Sequence, residues 1–318
     1  MGLCLSQLVS SETFGFWATG HHVIAVLAFE LLEPAEQQEL LRLLRTHPRF
    51  QIDFTVPESI QSDPSSVDRW HVGKAGEWSD IIRRNEEWDR PTWHYQLGAT
   101  MAIGGAEFPE DPNDVPDNAS LETKELHVVQ AVKMCRKILS DRSQSDEDRA
   151  IAICWLAHLV ADSHQPCHAG SLYSKEAFPE GDRGANSISV KNGRNLHAVW
   201  DSTLGKDLSP GDVRRRVANL MNDQAMMLAG QVASDEEDEL MPERWVIESR
   251  NAAKRYVYTD EALAGVMPVE RGLVDEVQEI TLSDAYLERA GRVAQMRASQ
   301  AAHRLAAIWR LALDESTE

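Results

Sequence analysis

Apolar residues run almost continuously over residues 151–161, where the chain reads IAICWLAHLVA, and the next residue is Asp162. Such a run predicts a buried helix. Residues four positions apart lie on the same face of a helix, so His158 and Asp162 should project side by side from a buried wall. We expect Pro166 to end this helix and His168 to follow at the turn.

The same spacing recurs downstream in NLHAVWD, where His197 and Asp201 are again four residues apart. A histidine and an aspartate inside an apolar helix are costly unless they pair or bind a metal. One such pair alone would more simply be a buried hydrogen bond. Two pairs with His168 between them favour a multinuclear metal centre.

The rest of the chain is patterned mostly as helices. Helical segments are predicted from His21, from Pro34, and over 121–139, 193–205, 210–231, 241–257 and 280–313. Residues 51–66 look irregular, and 99–118 and 170–192 are rich in Gly, Pro, Asp or Asn and should be loops. Leu287, Ala290 and further small or apolar residues up to Ala312 recur every three or four positions, which predicts close helix packing. No run alternates with strand periodicity, so the expected fold is all-α.

Composition, net charge and cysteine spacing argue against several classes of protein. The chain has 318 residues, 42% of them hydrophobic, which permits one large domain. No apolar stretch reaches the roughly 20 residues of a membrane span. The formal net charge is −19, so the surface as a whole should repel nucleic acid. Bound divalent ions could offset that field locally. The four cysteines form no Cys-x-x-Cys pair, which argues against a zinc ribbon or a thioredoxin-like site.

Histidines and aspartates dominate the candidate metal ligands. The set is His21, Asp80, His94, His158, Asp162, His168, His197 and Asp201. A nitrogen and oxygen donor set without thiolates suits zinc. Eight side chains are too many for one tetrahedral ion and fit two or three ions.

These residues lie in segments that resemble one family. FWATGHHVIA, EWSDIIRR, PTWHYQ, HLVADSHQPCH, DRGANSISV, NLHAVWD and WVIESRNAAKRYVY occur in this order between Phe16 and about Tyr258. Together they resemble the zinc-dependent, single-strand-specific nucleases of fungi and plants, the nuclease S-one and nuclease P-one type. That family shares a superfamily with the zinc-dependent phospholipases C. The resemblance implies an all-α, single-domain fold with three zinc ions at the foot of a cleft.

The resemblance also implies roles for individual residues. A first zinc ion would take Asp80, His94, His158 and Asp162. A neighbouring ion would share Asp162 and take His21 with the amino group and carbonyl of the mature N-terminal residue, and a third would take His168, His197 and Asp201. Arg83 would contact phosphate, Tyr95 would stack on a nucleobase, and Asp80 could orient or deprotonate the attacking water.

Two departures from the family pattern matter. The family usually begins Trp-x-x-x-Gly-His, and here Gly20 and His21 fit only if Phe16 takes the first position. Starting at Trp17 instead would make His22 the ligand. Leu97 stands where the fungal proteins have an acidic residue that reads the base, so the base preference is left open.

Residues 1–15 end like a secretory signal but lack its basic start. We expect export to the periplasm or the medium, cleavage before Phe16, and activity that depends on this processing. The nuclease domain would then span residues 16–318, as a monomer without a membrane span.

The expected activity is hydrolysis of single-stranded DNA and RNA to 5′-phosphorylated products, with 3′-nucleotidase activity. The alternative is a zinc-dependent phospholipase C, although those enzymes look to use Glu where this chain has Asp201. A third possibility is a secreted helical protein that uses zinc only for structure.

Overall fold

The predicted central helix spans Asp146–His164 in the computed structural model, which describes residues 16–191 and 193–314. Its side chains are buried from Arg149 to His164. Ser145 caps the helix by accepting a hydrogen bond from the Asp148 amide, and three acidic residues in the first turn match the positive end of the helix dipole. The predicted end before Pro166 is confirmed.

Fourteen α-helices and two strands can be numbered along the described chain. The helices are α1 Ala18–Glu30, α2 Pro34–Leu44, α3 Phe50–Asp53, α4 Pro64–Ile81, α5 Val128–Ser140, α6 Asp146–His164, α7 Pro166–Ala169, α8 Leu196–Asp201, α9 Pro210–Asn222, α10 Gln224–Val232, α11 Pro242–Ala252, α12 Asp260–Leu263, α13 Met267–Glu270 and α14 Asp284–Leu313. Four 3₁₀-helices lie at Glu58–Ile60, Pro91–His94, Ser202–Leu204 and Glu237–Leu240, and a π-helix, Ala253–Val257, continues α11.

Helix α6 lies at the centre of the molecule, in contact with α1, α2, α4, α5, α11 and α14. Helix α1 is almost as enclosed, since its residues from Thr19 to Phe29 are all buried. Helix α14 closes the core through the predicted stripe of small residues, which is buried from Ala290 to Ala312. Leu287, expected in that stripe, is instead 44% exposed because the stripe meets the core only from the second turn onward.

The prediction of loops over 99–118 and 170–192 is wrong in part, because two short parallel strands form there. Strand β1, Gly98–Ile103, pairs with β2, Gly170–Ser174, and Gly98 lies opposite Gly170. Residues of β2 are all buried, so the strand shows no alternation, and its pairing comes from tertiary packing rather than local preference. The pairing holds the chain after His94 against the chain after His168.

Helix boundaries differ from the expected ones where a cap intervenes. The helix expected over 121–139 begins only at Val128, because His127 and Gln130 form reciprocal capping bonds there. The helix expected over 210–231 is two helices, since the Asp223 side chain caps the second. The one expected over 280–313 begins after the cap residue Ser283.

The all-α fold class is confirmed, with the single β1–β2 pair as its only sheet in the described chain. Among the described helices, none combines the length and apolar character that a bilayer crossing requires. Cys135, Cys154 and Cys167 are buried free thiols.

Candidate metal centre

Eight predicted side-chain ligands converge at one end of α6. They form three groups whose ligand atoms lie within 4.8 Å of one another in each group: His21 with His158 and Asp162, Asp80 with His94 and His158, and His168 with His197 and Asp201. The contributing elements are α1, α4, α6, α7, α8 and the 3₁₀-helix before β1.

Asp162 lies at the junction of these groups. Its Oδ2 is 3.0 Å from both His158 Nε2 and His94 Nδ1. Its Oδ1 is 3.6 Å from His21 Nε2 and 3.5 Å from His168 Nδ1. One carboxylate therefore faces four imidazoles and is placed to serve more than one ion.

Three imidazoles are oriented by backbone carbonyls. His158 Nδ1 lies 2.8 Å from Gly76 O, His168 Nδ1 lies 2.7 Å from His94 O, and His197 Nδ1 lies 2.6 Å from Gly184 O. A carbonyl only accepts, so each Nδ1 carries a proton and each Nε2 faces the centre, where a bound metal ion would take its lone pair. Histidines that bind metals in proteins are held in this way.

Gly76 allows α4 to approach α1 at this point. A Cβ at residue 76 would lie 2.8 Å from the carbonyl oxygen of His21. The absence of that atom lets the Gly76 carbonyl reach His158 while Asp80, one turn later on α4, reaches the same centre. The contact therefore sets the positions of ligands from three helices at once.

Burial keeps several of these histidines neutral. It lowers the pKa of His21 to about 3, with the neighbouring His158 adding to the effect, and that of His197 to about 3, helped by His168. The pKa of His94 falls to about 4 through burial and the nearby Arg83. Neutral imidazoles are the form that binds metals.

The carboxylates are shifted in opposite directions. Burial favours protonation of Asp162, but His158 and His168 outweigh it and hold the pKa well below the usual range. Burial raises the pKa of the Asp201 carboxyl well above its usual value, with Asp162 adding repulsion. A bound cation would reverse that repulsion and stabilise the ionised form of Asp201.

The donor set fits divalent metal ions. Within the described chain, both ring nitrogens of His21, His94 Nε2, Asp80 Oδ2 and Asp162 Oδ1 are buried without a hydrogen-bond partner, although such orphaned groups are costly. Facing imidazole nitrogens are 2.9 Å apart in the His94–His158 pair and 3.2 Å apart in the His168–His197 pair. Two nitrogens on one tetrahedral zinc ion would be roughly 3.4 Å apart, given zinc–nitrogen bonds of about 2.0–2.1 Å.

A cleft of about 100 Å³ opens beside the centre. Arg83, Tyr95 and Leu97 line it together with His94, His168 and His197. Arg83 Nε donates to Asp80 Oδ1 at 2.8 Å, so the guanidinium is held at the border between ligands and cleft. The ring of Tyr95 is partly exposed and is supported by an edge contact with His127.

The N-terminal ligand stays a prediction. Phe16 precedes α1, and its side chain is fully buried where it folds back over Gly20. The next amide, Trp17 N–H, donates to Asp201 O at 3.1 Å, which ties this segment to the third group. The segment 1–15, expected to be a signal, lies outside the described residues. His22, the alternative ligand, instead faces Glu77 at 2.9 Å and is not in any of the three groups.

Sequence reasoning missed the residues that support the ligands. Gln165 Nε2 donates to Asp201 Oδ1 at 2.5 Å, and the Asn186 side chain lies beside His197 while its Nδ2 donates to Arg183 O at 2.8 Å. Asp182 is fully buried and accepts from the Leu172 amide at 3.0 Å, and burial raises its pKa to about 6. The only signals for them were the HLVADSHQPCH and DRGANSISV segments, which were quoted for the resemblance without a role for these three residues.

The loop that carries Gly184 is strained. Arg183, Gly184 and Ala185 have φ values of 59°, 63° and 67°, and left-handed backbone is unfavourable for residues with a Cβ. At Gly184 a Cβ would also lie 2.1 Å from the Cys167 carbonyl oxygen. This conformation directs the Gly184 carbonyl to His197, and so the strained loop orients one of the candidate ligands.

Fold and site together define a class: a helical protein whose cleft carries several histidine and aspartate groups able to hold divalent metal ions. A family model described as S1/P1 Nuclease matches residues 16–314, so the chain belongs to the S1/P1 nuclease family. The resemblance predicted from the motifs is confirmed.

Several plant proteins are similar to this chain, two of them along most of their length. Endonuclease 4 of Arabidopsis thaliana is 24% identical over 96% of this chain and 91% of its own. Endonuclease 2 of the same plant is 22% identical over 92% of this chain and 89% of its own. Endonuclease 5 is 26% identical over 44% of this chain and 46% of its own. The chain is therefore a nuclease, a hydrolase that acts on phosphodiester bonds.

Proposed function

We propose that this nuclease is a zinc-dependent endonuclease that hydrolyses single-stranded DNA and RNA to 5′-phosphorylated products and also acts on 3′-nucleotides. The observation that carries the proposal is the convergence of eight nitrogen and oxygen ligands into three groups beside the Tyr95 cleft. Three groups support three zinc ions, with Asp162 shared and the Phe16 amine and carbonyl completing the group of His21.

Divalent ions held by these groups would supply positive charge at the phosphate and make water a nucleophile at moderate pH. The chain's own residues would do the rest. Burial acts to raise the pKa of Asp80, but His158 and Arg83 outweigh it and lower that pKa, so Asp80 is ionised. Its unpartnered Oδ2 can accept a hydrogen bond from the attacking water or take its proton. The Arg83 guanidinium would contact a non-bridging phosphate oxygen.

Preference for single strands would follow from the cleft. A nucleobase must leave a duplex before it can stack on the Tyr95 ring, which lines the cleft beside the metal centre. Leu97 lines the same cleft with an apolar side chain where the fungal proteins are expected to have an acid. We therefore propose that an acid-based selection of one base is weak here.

The activity test uses purified, zinc-loaded protein with matched substrates. Single-stranded DNA, RNA and 3′-nucleotides should be hydrolysed, and duplex DNA of the same sequence much more slowly. Inertness towards all three would refute the proposal. Hydrolysis of phosphatidylcholine without action on nucleic acid would favour the phospholipase alternative, which family membership already disfavours.

Metal content provides a second test. Elemental analysis of carefully loaded protein should give about three zinc ions per chain, the number of groups that the described side chains form. His158→Ala should lower the count because His158 belongs to two groups. One ion or none in the unsubstituted protein would contradict the zinc assignment.

We also propose export and N-terminal processing, with a mature monomeric domain over residues 16–318. An amine ligand needs a free lone pair, and a free α-amino group has a pKa of about 7.7–8.0 that a metal lowers further. With residues 1–15 attached, the Phe16 nitrogen is an amide and a poor ligand. N-terminal sequencing of active secreted protein should begin at Phe16. A start at Trp17 would move the terminus by one residue, and full activity with residues 1–15 retained would refute the processing.

A further inference from the structure

A second groove borders the metal centre at the third group of ligands, and Tyr95 does not line it. It has a volume of about 770 Å³, within the range of about 300–1,000 Å³ typical of ligand sites. Its walls come from the first turn of α1, the segment 193–195, helix α8, and the segment 206–208. His197 and Asp201 of the third group form part of its surface.

The groove and the Tyr95 cleft meet at the metal centre. Asn186 and His197 line both of them. A phosphate held at the third group therefore has space on two sides, one leading to Tyr95 and one into the groove. A polynucleotide continues on both sides of the bond that is cut, so it can occupy both spaces.

The groove also carries positive charge in a strongly acidic chain. Lys206 and Arg194 line it, both are exposed, and neither is within ion-pair distance of an acidic side chain among the described residues. Lys206 Nζ lies 4.2 Å from the ring centroid of Trp17, which holds the ammonium against the groove wall. The next residue in the chain, Asp207, accepts a hydrogen bond from the Ser209 amide at 2.8 Å. These cations stand out in a chain of net charge −19.

Apolar side chains complete the groove. Val199, Leu208 and Leu287 lie along it beside the Trp17 ring. The exposure of Leu287 thus has an explanation, since this residue faces the groove rather than the core. A groove lined by cationic side chains together with aromatic and apolar ones suits a single strand, whose phosphates and bases both need partners.

We propose that this groove binds the nucleotides that lie beyond the scissile phosphate from the base on Tyr95. Lys206 and Arg194 contact their phosphates, and Trp17 with the apolar wall contacts their sugars and bases. This inference rests on the proposed function, since it assumes a single-stranded polynucleotide substrate. Such a groove makes the enzyme favour a longer strand over a minimal substrate.

The test measures the ratio of kcat/KM for an octanucleotide to kcat/KM for a dinucleoside monophosphate. Lys206→Ala and Arg194→Ala should each lower the ratio by about threefold, the size of effect usual for one exposed charge contact. Each should also reduce the slope of log kcat/KM against log salt by about 0.7 for the octanucleotide. Lys206→Arg should restore both quantities because it keeps the charge.

The matched control is Lys137→Ala, which removes an exposed lysine on α5 that does not line the groove or the cleft. An equal fall of the ratio in this control would show a general charge effect and overturn the proposal. An unchanged ratio in both groove variants, or an equal loss on both substrates, would also overturn it.

A binding assay separates this inference from the proposed function. Fluorescence anisotropy of a labelled, hydrolysis-resistant phosphorothioate octanucleotide should show weaker binding to Lys206→Ala than to the unsubstituted protein or Lys137→Ala. If the unsubstituted protein cuts neither substrate, the proposed function fails, but this assay still decides whether the groove binds a strand. Equal affinity of all three proteins would refute the proposal that the groove binds the strand.

Discussion

Replacing Asp162 with asparagine should empty more than one metal site. The substitution keeps the shape of the side chain and removes its charge from among four imidazoles. Each of the two oxygens of Asp162 faces two histidines, at distances between 3.0 and 3.6 Å. The groups of His21 and His94 should therefore both lose affinity.

The magnitude follows from the position of the carboxylate. Loss of a partner that only supports a ligand costs about 10–100-fold in metal affinity. Asp162 faces the ion positions directly, so a loss of at least about 100-fold per ion is expected, or about 2.7 kcal/mol. With free zinc at about 1,000 times the original Kd, zinc-induced stabilisation falls from about 4.1 to about 1.4 kcal/mol per ion. For a chain of this length that is a loss of about 4 °C in the zinc-induced shift of Tm.

The assay is elemental analysis after dialysis, combined with melting curves with and without zinc. Using the zinc-induced shift cancels any effect of the substitution on the metal-free protein. Asp212→Asn is the matched control, because Asp212 is also buried but binds Arg216 on α9, at 2.5 Å. An Asp162→Asn protein that keeps its full metal content and the full shift would refute the bridging role.

Three further outcomes are expected. Burial lowers the pKa of His47 from 6.5 to about 4, so folding opposes protonation of this side chain. The free energy of unfolding is therefore highest above about pH 6.5 and decreases as the pH falls from 6.5 towards 4. Urea unfolding should show His47→Asn, which keeps an acceptor for the Arg49 amide, gaining about 2 kcal/mol relative to the parent between pH 7 and 5; a constant difference would refute this. Glu248→Gln should cost about 3 kcal/mol in the free energy of unfolding, since it leaves the fully buried Arg304 without the carboxylate that now lies 2.7 Å away; a cost below 1 kcal/mol would contradict it. Tyr95→Ala should raise KM for single strands about tenfold and Tyr95→Phe should not, whereas equal effects would exclude stacking.

Local spacing was enough to predict the ligands that share a helix. His158 with Asp162 and His197 with Asp201 are each four residues apart, and that interval alone places both side chains of a pair on one face. The burial of α6 was equally predictable, because its apolar run leaves no polar face to meet water. His21, Asp80 and His94 have no such local partner, so spacing alone does not place them in the site, and the family resemblance was needed to assign them to particular ions.

The supporting residues could not be found in this way because their roles come from tertiary contacts. Gly76 matters through the distance between α4 and α1, and Asp182 through a loop that folds back on β2. Neither relation leaves a periodic pattern. The same reason explains the missed strands, since β1 and β2 are short, begin with glycine and owe their conformation to each other.

The local charge of the site would be set by its bound metal ions and would differ in sign from the net charge of the whole chain. Histidines that bind a metal are neutral, so the metal-bound centre carries at most three negative charges, from Asp80, Asp162 and Asp201. Three zinc ions, as proposed, would add six positive charges and leave a net charge of about +3. Distant carboxylates on the acidic surface are screened over about 10 Å at ordinary salt concentrations, whereas charges inside the cleft are screened much less. A polyanion near the centre would therefore meet an attractive field despite the net charge of −19, and Lys206 and Arg194 would extend that field along the strand.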